Sequence, residues 1–227
     1  MSIINTIQSV LVPINRAGWP FIGGFAAATL ALSFFSESLG LIGAVLTAWC
    51  VYFFRDPDRV TPVREGLFVS PADGVVQLID EAAPPDELEM GDRPRSRVCV
   101  FMNVFNVHVN RSPCDGRVVK SSYRPGRFIN ASLDKASEFN ERRSLRIHPE
   151  KGDDVAVVQI AGLVARRILT FAQEGDHIKA GERFGLIRFG SRVDVYLPDG
   201  VRPVVVAGQI AVAGETVIAD AAAKDDA

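Results

Sequence analysis

Two patterns of apolar and polar positions divide the chain. From Ala17 to Phe54 almost every residue is apolar or small, interrupted by Ser33 and a Ser36-Glu37-Ser38 break. An apolar stretch of this length with that break predicts a pair of helices, Ala17–Phe35 and Leu39–Phe54. After Asp56-Pro57 the pattern changes to short β-branched runs separated by Gly, Pro and Asp turns. The runs are Val75–Ile79, Val98–Met102, Val118–Ser122, Val155–Ile160, Phe184–Phe189, Val193–Leu197 and Val204–Val206. Such spacing predicts a mainly β fold, a compact β-barrel or sandwich. The acidic, Pro-rich Glu81–Arg95 stretch reads as an exposed loop. Asn130–Asn140 suits either a short helix or a loop, and Ala221–Ala227 reads as a disordered tail. The expected organisation is a helical hairpin over residues 1–55, a β-rich domain over 56–220 and the tail over 221–227.

The first apolar stretch approaches the ~20 residues of a membrane-spanning helix, and the second is shorter. Arg16 precedes the pair, and Arg55, Arg59 and Arg64 follow it. Positive flanks at both ends predict a membrane hairpin with both ends in the cytoplasm and Glu37 at the far side. Trp19, Trp49 and Tyr52 lie near the ends, where amphipathic rings favour the interface. Gly23, Gly24, Gly40 and Gly43 suit close helix packing in lipid. The alternative is a helical hairpin buried in a soluble core. A cleaved signal peptide fits less well, because the segment starts late and runs twice.

The β-rich part repeats itself. Ser70-Pro-Ala-Asp-Gly-Val-Val76 resembles Ser112-Pro-Cys-Asp-Gly-Arg-Val-Val119. Glu174-Gly-Asp-His-Ile-Lys-Ala-Gly-Glu182 resembles Gly208-Gln-Ile-Ala-Val-Ala-Gly-Glu215. The second pair has the turn pattern of biotinyl and lipoyl carrier barrels but lacks the carrier lysine motif. With 227 residues and a formal charge of −2, the chain carries no basic excess that would point to nucleic acid. Cys50, Cys99 and Cys114 have no C-x-x-C spacing, which suggests neither a disulfide framework nor a zinc site, and a reducing compartment.

The candidate chemistry centres on one bond, Gly190–Ser191, in the run Arg188-Phe-Gly-Ser-Arg-Val-Asp194. A serine hydroxyl can reach back to the preceding carbonyl through a five-membered ring, and glycine leaves that carbonyl open. The product is an ester whose oxygen is a leaving group. Elimination gives dehydroalanine, and loss of ammonia leaves a pyruvoyl group on a new N-terminus. Most Gly-Ser pairs are simple turns, so this reading needs structural context. A second informative stretch is Phe101-Met-Asn-Val-Phe-Asn-Val-His-Val-Asn-Arg111. Read as a strand, it puts Asn106, His108 and Asn110 on one polar face and Phe105, Val107 and Val109 on the other. That makes His108 a candidate site residue, where a lone strand histidine is otherwise a satisfied structural one. His148 and His177 read as surface residues. Asp73 is either a turn residue or a carboxylate that orients His108, as in a Ser-His-Asp relay. The residues alone do not separate Asp73 from Asp115. Arg166, Arg167 and Arg188 are candidate phosphate contacts by charge, against solvated surface arginines.

Together, Ser-Pro-Ala-Asp-Gly at 70–74, Asn-Val-Phe-Asn-Val-His-Val-Asn-Arg at 103–111, Val-Gln-Ile-Ala-Gly at 158–162, Ala-Arg-Arg at 165–167 and Arg-Phe-Gly-Ser-Arg-Val-Asp at 188–194 resemble the short-form phosphatidylserine decarboxylase proenzymes. The resemblance runs from about Phe53 to Leu197. Longer family members carry Leu-Gly-Ser-Thr at the cleavage site, where this chain has Phe-Gly-Ser-Arg. They also carry a second histidine at the position of Phe105, so a role for that histidine does not transfer. The resemblance implies self-cleavage between Gly190 and Ser191 into a β chain and a small α chain that stay together. Ser191 becomes the pyruvoyl group, with no pyridoxal phosphate, no metal and no other external cofactor. His108 acts as the base toward Ser191, and Asp73 orients and polarises His108. The pyruvoyl ketone is the electron sink that decarboxylation of an amino acid requires. The implied substrate is phosphatidylserine in the bilayer and the products are phosphatidylethanolamine and CO₂, at the cell membrane with the β-rich domain on the cytoplasmic side. The alternatives are another pyruvoyl-dependent amino-acid decarboxylase and a non-catalytic, membrane-anchored biotinyl-like module.

Overall fold

The computed structural model describes residues 12–128, 131, 139–163, 167–188 and 190–222. The chain divides into two units, Met1–Asp58 and Arg59–Ala227. In the first, a 3₁₀ turn at Arg16–Gly18 leads into α1 (Trp19–Ser33), and α2 (Glu37–Phe53) returns. Pro20 occupies the start of α1, where its missing N–H costs nothing. Small residues let the two helices touch. A Cβ added at Gly43 would stand 2.7 Å from the Thr29 hydroxyl, and one at Gly40 would stand 2.8 Å from Ser33 Cβ. The Thr29 and Thr47 hydroxyls meet at 3.0 Å. The segment before α1 is tied to the exit of α2 by Asn15 N–H to the Phe54 carbonyl at 2.8 Å and Asp56 N–H to the Pro13 carbonyl at 2.7 Å.

The hairpin forms, but the expected membrane spans are shortened. The Arg16–Gly18 turn takes Ala17 and Gly18, and Phe34, Phe35 and Ser36 make the bend. The remaining 15 and 17 residues measure about 22 and 25 Å, short of a hydrocarbon core of about 30 Å. Among the described residues, no helix is long and apolar enough to cross a membrane. The hairpin still exposes large apolar side chains, with Phe34 at 88% and Phe35 at 84% exposure.

The second unit is mainly β and its strands pair antiparallel. They are β1 (Leu67–Val69), β2 (Gly74–Ala82), β3 (Arg95–Met102), β4 (Val109–Arg111), β5 (Gly116–Arg124), β6 (Arg142–His148) and β7 (Val155–Ala161). There follow β8 (Ile168–Thr170), β9 (His177–Ile178), β10 (Arg183–Ile187), β11 (Ser191–Tyr196), β12 (Ile210–Ala211) and β13 (Val217–Asp220). The principal sheet has the order β12-β2-β3-β11-β7-β6-β5-β9, beside a β4-β10-β8 sheet and a β1-β13 pair. Both faces of its middle strands are covered. Val193 and Val195 join the main core with Met102, Ala161 and Phe184, while Tyr196 packs on the other face with Leu88, Val158 and Ile160.

The sequence repeat is a structural repeat. Ser70 Oγ donates to the Ala72 carbonyl and Ser112 Oγ to the Cys114 carbonyl, each at 2.7 Å. β2 and β5 both follow an Asp-Gly turn and both shift register after their third residue. The two later segments supply matching edge strands. β12 pairs with the start of β2, and β9 with the start of β5. Gly181 and Gly214, both with φ of +75°, occupy matching turns, and a Cβ at Gly214 would stand 3.2 Å from Gly181 Cα.

Several expectations are corrected. The principal sheet is open, with β12 and β9 at its edges, so it is not a closed barrel. Val204–Val206 forms bends rather than a strand, because the main chain there turns toward Gly208 and Val204 and Val206 stay exposed. Residues 103–108 are not part of a strand. Asn103 N–H donates to Asn106 Oδ1 at 2.8 Å and Phe105 N–H to Asn103 Oδ1 at 2.8 Å, so the two asparagines close a turn before β4. The Glu81–Arg95 stretch is not wholly exposed. It contains a 3₁₀ turn, Asp86–Leu88, that buries Leu88 completely. Most of Asn130–Asn140 and residues 223–227 of the tail lie outside the described residues.

Candidate functional site at the head of β11

Ser191 is the first residue of β11, between Met102 of β3 and Ala161 of β7. It is fully buried, and its Oγ has no hydrogen-bond partner among the described residues. An unmade bond at a buried hydroxyl costs about 1–3 kcal/mol, so it needs an explanation in function. The residue before it supplies one. Gly190 has φ of +46°, in the left-handed region where a side chain is strained. Its carbonyl oxygen lies so close to Gly162 that a Cβ there would stand only 1.9 Å away. The chain thus bends sharply just before the Ser191 hydroxyl, and two glycines make the bend possible.

The next residues lock the strand. Alternation along β11 turns Arg192 and Asp194 away from the Ser191 face. Arg192 Nε and Nη2 donate to the two Asp194 carboxylate oxygens at 2.8 and 3.0 Å, and both residues are buried. Arg97 Nη1 lies 3.7 Å from the same carboxylate and is itself held bidentately by Asp80 at 2.8 and 2.6 Å. Burial works against the Arg192 charge, but Asp194 outweighs it and raises the pKa. Burial and the Asp194 charge push Tyr196 up to about 12 and Cys99 higher still.

His108 is 1% exposed and immediately precedes β4. Its Nδ1 lies 2.9 Å from the Asn106 carbonyl. A carbonyl only accepts, so Nδ1 carries the proton and Nε2 is the basic nitrogen of the neutral ring. The His108 carbonyl accepts from Ile187 N–H at 3.1 Å, three residues before Gly190. The Asp73 turn lies at the same end of β3. A Cβ at Gly74 would stand 2.0 Å from the Phe101 carbonyl oxygen and 3.3 Å from Met102 N, beside the strand partner of Ser191. The Asp73 turn and Ser191 thus lie at the same end of the β3–β11 pair, and the main chain of His108 is bonded to β10 three residues before Gly190.

The two aspartates of the repeat are now distinguishable. Asp73 Oδ1 accepts from Ala213 N–H at 2.8 Å, and Asp115 Oδ1 accepts from Ala180 N–H at 2.7 Å, so both shape matching turns. Asp73 Oδ2 also accepts from Arg59 Nη2 at 2.7 Å, in a pair whose side chains are about one-seventh exposed. Asp115 is an exposed residue.

The match to known proteins agrees with this geometry. A family model described as phosphatidylserine decarboxylase matches residues 46–219. A protein of Paramagnetospirillum magneticum named phosphatidylserine decarboxylase proenzyme is 61% identical over 217 residues, covering 96% of this chain and 90% of its own length. One of Beijerinckia indica subsp. indica with the same name is 58% identical over 220 residues, covering 97% and 94%.

The chain belongs to the phosphatidylserine decarboxylase family.

For this family member, the structure adds residues that the sequence reading passed over. Arg59, taken as a membrane-flanking charge, is the partner of Asp73. Gln159, named in the sequence only as part of the 158–162 motif, is a fully buried amide in an otherwise apolar strand. Its Nε2 donates to Asn110 Oδ1 at 2.8 Å and its Oε1 accepts from Thr170 at 3.2 Å. Gly162, a family-motif residue in sequence, acquires a specific reason to be glycine. His148, read as a surface residue, is exposed and pairs with Asp154 at 2.7 Å. Arg167 and Arg188 are described, whereas Arg166 lies outside the described residues.

Proposed function

We propose that this family member is a self-processing carboxy-lyase that converts phosphatidylserine to phosphatidylethanolamine and CO₂. The observation that carries this reading is the buried Ser191 hydroxyl at the sharp Gly190 bend, in a chain whose relatives are named as proenzymes of that activity. In maturation, His108 Nε2 takes the Ser191 hydroxyl proton as Oγ attacks the Gly190 carbonyl carbon. The Ser191 nitrogen leaves that carbon and accepts a proton. A base then removes the Ser191 Cα proton and the ester C–O bond breaks, so the Gly190 carboxylate departs with the β chain and leaves dehydroalanine, whose imine tautomer takes up water and releases ammonia to give the pyruvoyl ketone. Asp73 favours the cationic form of His108 during these transfers through its negative charge. The Ser191-derived pyruvoyl group then supplies the electron sink for decarboxylation. The residues fit it, because the ketone needs no room beyond that of the serine it replaces. His108 remains in position to return a proton to the substrate Cα.

The α chain would begin in mid-sheet. β11 lies between β3 and β7, both on the β chain, so its ladders hold the two products together after cleavage. The Arg192–Asp194 pair, one residue past the new terminus, keeps the reactive group from drifting. The exposed apolar hairpin is the feature that supports attachment at the cell membrane. With helices too short to span, it seats within one leaflet, and the positive Arg16 and Arg55 flanks support a cytoplasmic position.

A mass spectrum of the purified protein, coupled to CO₂ release from phosphatidylserine vesicles, tests the reading. The expected fragments have 190 and 227 − 190 = 37 residues. Ser191→Ala should remain a single chain without CO₂ release. An intact wild-type chain would favour a biotinyl-like module, and a cleaved chain active only on a free amino acid would favour a soluble-substrate decarboxylase.

A further inference from the structure

One buried side chain ties the small β4-β10-β8 sheet to the principal sheet. Gly185 of β10 lies between Asn110 of β4 and Thr170 of β8, its partners in the two ladders. Gln159 of β7 reaches across from the principal sheet and rests its amide on that glycine. A Cβ at Gly185 would stand 2.7 Å from Gln159 Nε2 and 3.1 Å from Oε1, so the amide takes the space a side chain would fill. On one side Gln159 Nε2 donates to Asn110 Oδ1 at 2.8 Å, and on the other Thr170 Oγ1 donates to Gln159 Oε1 at 3.2 Å. Asn110 Nδ2 continues to Met102 Sδ of β3 at 3.6 Å. Apolar packing alone would hold two sheets together. A satisfied, fully buried amide pair is directional, and fixes how one sheet lies on the other. The location says what that direction serves. Met102 and Ala161 are the strand partners of Ser191, and Gln159 is two residues before Ala161. Gln159 is therefore a diagonal neighbour of Ser191 on the same face of the sheet. The strand it rests on leads into the cleavage bond. β10 ends at Ile187, and the chain passes from the small sheet to the principal one through residues 188–190 before Ser191 opens β11.

We propose that Gln159 is a positioning residue for maturation: bonded to Asn110 and Thr170, it fixes the small sheet against the principal one so that the Gly190 carbonyl carbon stays within reach of Ser191 Oγ. This rests on the functional reading above. The link between the sheets is three residues long, so a slide of one sheet on the other is passed to the Gly190 peptide. Ser191 cannot follow, because its strand is paired on both sides. Gly190, at φ of +46° and pressed against Gly162, leaves the bend no slack to absorb the movement. Gln159 touches no reacting atom and acts through the backbone. Once the bond is cut, the link no longer joins the two sheets, and the same amide matters far less to decarboxylation.

The test uses full-length Gln159→Leu, Thr170→Val and the exchanged pair Gln159→Asn with Asn110→Gln. Ile147→Ala is the control, a core truncation opposite Val155, at the end of the β6–β7 ladder away from Ala161. Chain splitting is timed by gel electrophoresis, and stability is read from urea midpoints. Gln159→Leu should split about 100-fold more slowly, the cost of a misplacement of about 1 Å. Thr170→Val loses one bond and keeps the branched shape, and should split about 5-fold more slowly. The exchanged pair keeps the summed side-chain length and should return to within about 5-fold of wild type. Ile147→Ala should lose stability and split at the wild-type rate. In the matured fraction of each variant, kcat on phosphatidylserine per pyruvoyl group should stay within about 3-fold of wild type. Wild-type splitting by Gln159→Leu and Thr170→Val would overturn the assignment. So would slow splitting by Ile147→Ala, or a fall in kcat as large as the fall in splitting rate, since either would make the amide merely structural. If Gln159→Leu does not fold, Thr170→Val and the exchanged pair decide the question. An intact wild-type chain would overturn the functional reading and this one with it, whereas a wild type that splits no faster than Gln159→Leu at equal stability overturns this one alone.

Discussion

Gly162→Ala isolates the geometry of the cleavage bond. The added methyl would stand 1.9 Å from the Gly190 carbonyl oxygen and 2.9 Å from its carbon. Ordinary contact begins at 3.4 Å, so the carbonyl and the end of β7 must separate by 3.4 − 1.9 = 1.5 Å. Ser191 cannot follow freely, because its strand is paired on both sides. The displacement therefore falls on the Gly190 peptide, the group that the hydroxyl must attack. A misplacement of about 1 Å in a reacting group costs about 100-fold in rate, whereas overpacking costs about 1–3 kcal/mol in stability. The variant should fold, with a lowered thermal midpoint, and should split at least about 100-fold more slowly than wild type. A time course of chain splitting by gel electrophoresis, with circular dichroism on the same samples, measures both. Gly116→Ala is the control. Its methyl would stand 2.6 Å from the His148 carbonyl oxygen, a comparable strain in the second half of the repeat. It should lose stability and mature at a normal rate. Wild-type splitting by Gly162→Ala would refute the reasoning, and equal slowing of both variants would reduce it to a folding effect.

Asp73→Asn should greatly slow chain splitting, since it removes the charge that pairs with Arg59 and is proposed to support His108, while Asp115→Asn should split nearly normally; the opposite result would mean the repeat is assigned the wrong way round. Glu87 links the 3₁₀ turn to β6, accepting from Arg142 Nε and Nη2 at 2.7 Å each and from Ser144 at 3.0 Å. Burial opposes its charge, but these bonds outweigh it and hold its pKa below 4.5. A depressed folded pKa gives stability that is present above the unfolded value and lost as pH falls through the folded one, so Glu87→Gln should cost about 1–2 kcal/mol at pH 7 and progressively less below pH 4.5, read from urea midpoints across pH. Asp194→Asn should destabilise by about 3 kcal/mol or more in the same assay, because it leaves the buried Arg192 charge uncompensated; a loss under 1 kcal/mol would contradict that account.

Much of this molecule was legible in its sequence because local rules determine it. Alternation and turn residues marked β2, β3, β5, β7, β10 and β11 to within a few residues, and the apolar run marked the helix pair. The repeat was legible because the two Asp-Gly turns meet the same local demand, an aspartate bonding a backbone N–H and a glycine lying against a neighbouring strand. The Gly190–Ser191 bond was legible because its chemistry lies within one peptide unit. Other features depend on residues brought together only by folding. β1, β6, β8 and β13 carry weak patterns, since their burial comes from strands distant in sequence. The strand expected through His108 gave way to a turn because Asn103 and Asn106 satisfy the main chain locally. Helix length, unlike apolar content, was decided by where the Arg16–Gly18 turn and the Phe34–Ser36 bend fall. The sequence by itself singled out Asp73, His108 and Ser191 as the candidates for chemistry. Only the tertiary structure separated Asp73 from Asp115, by setting Arg59 against one of them. Only the tertiary structure made Gly162 indispensable and set Gln159 between Asn110 and Thr170, because strand register, the property that sets neighbours across a sheet, is a relation between distant segments and is written in neither alone.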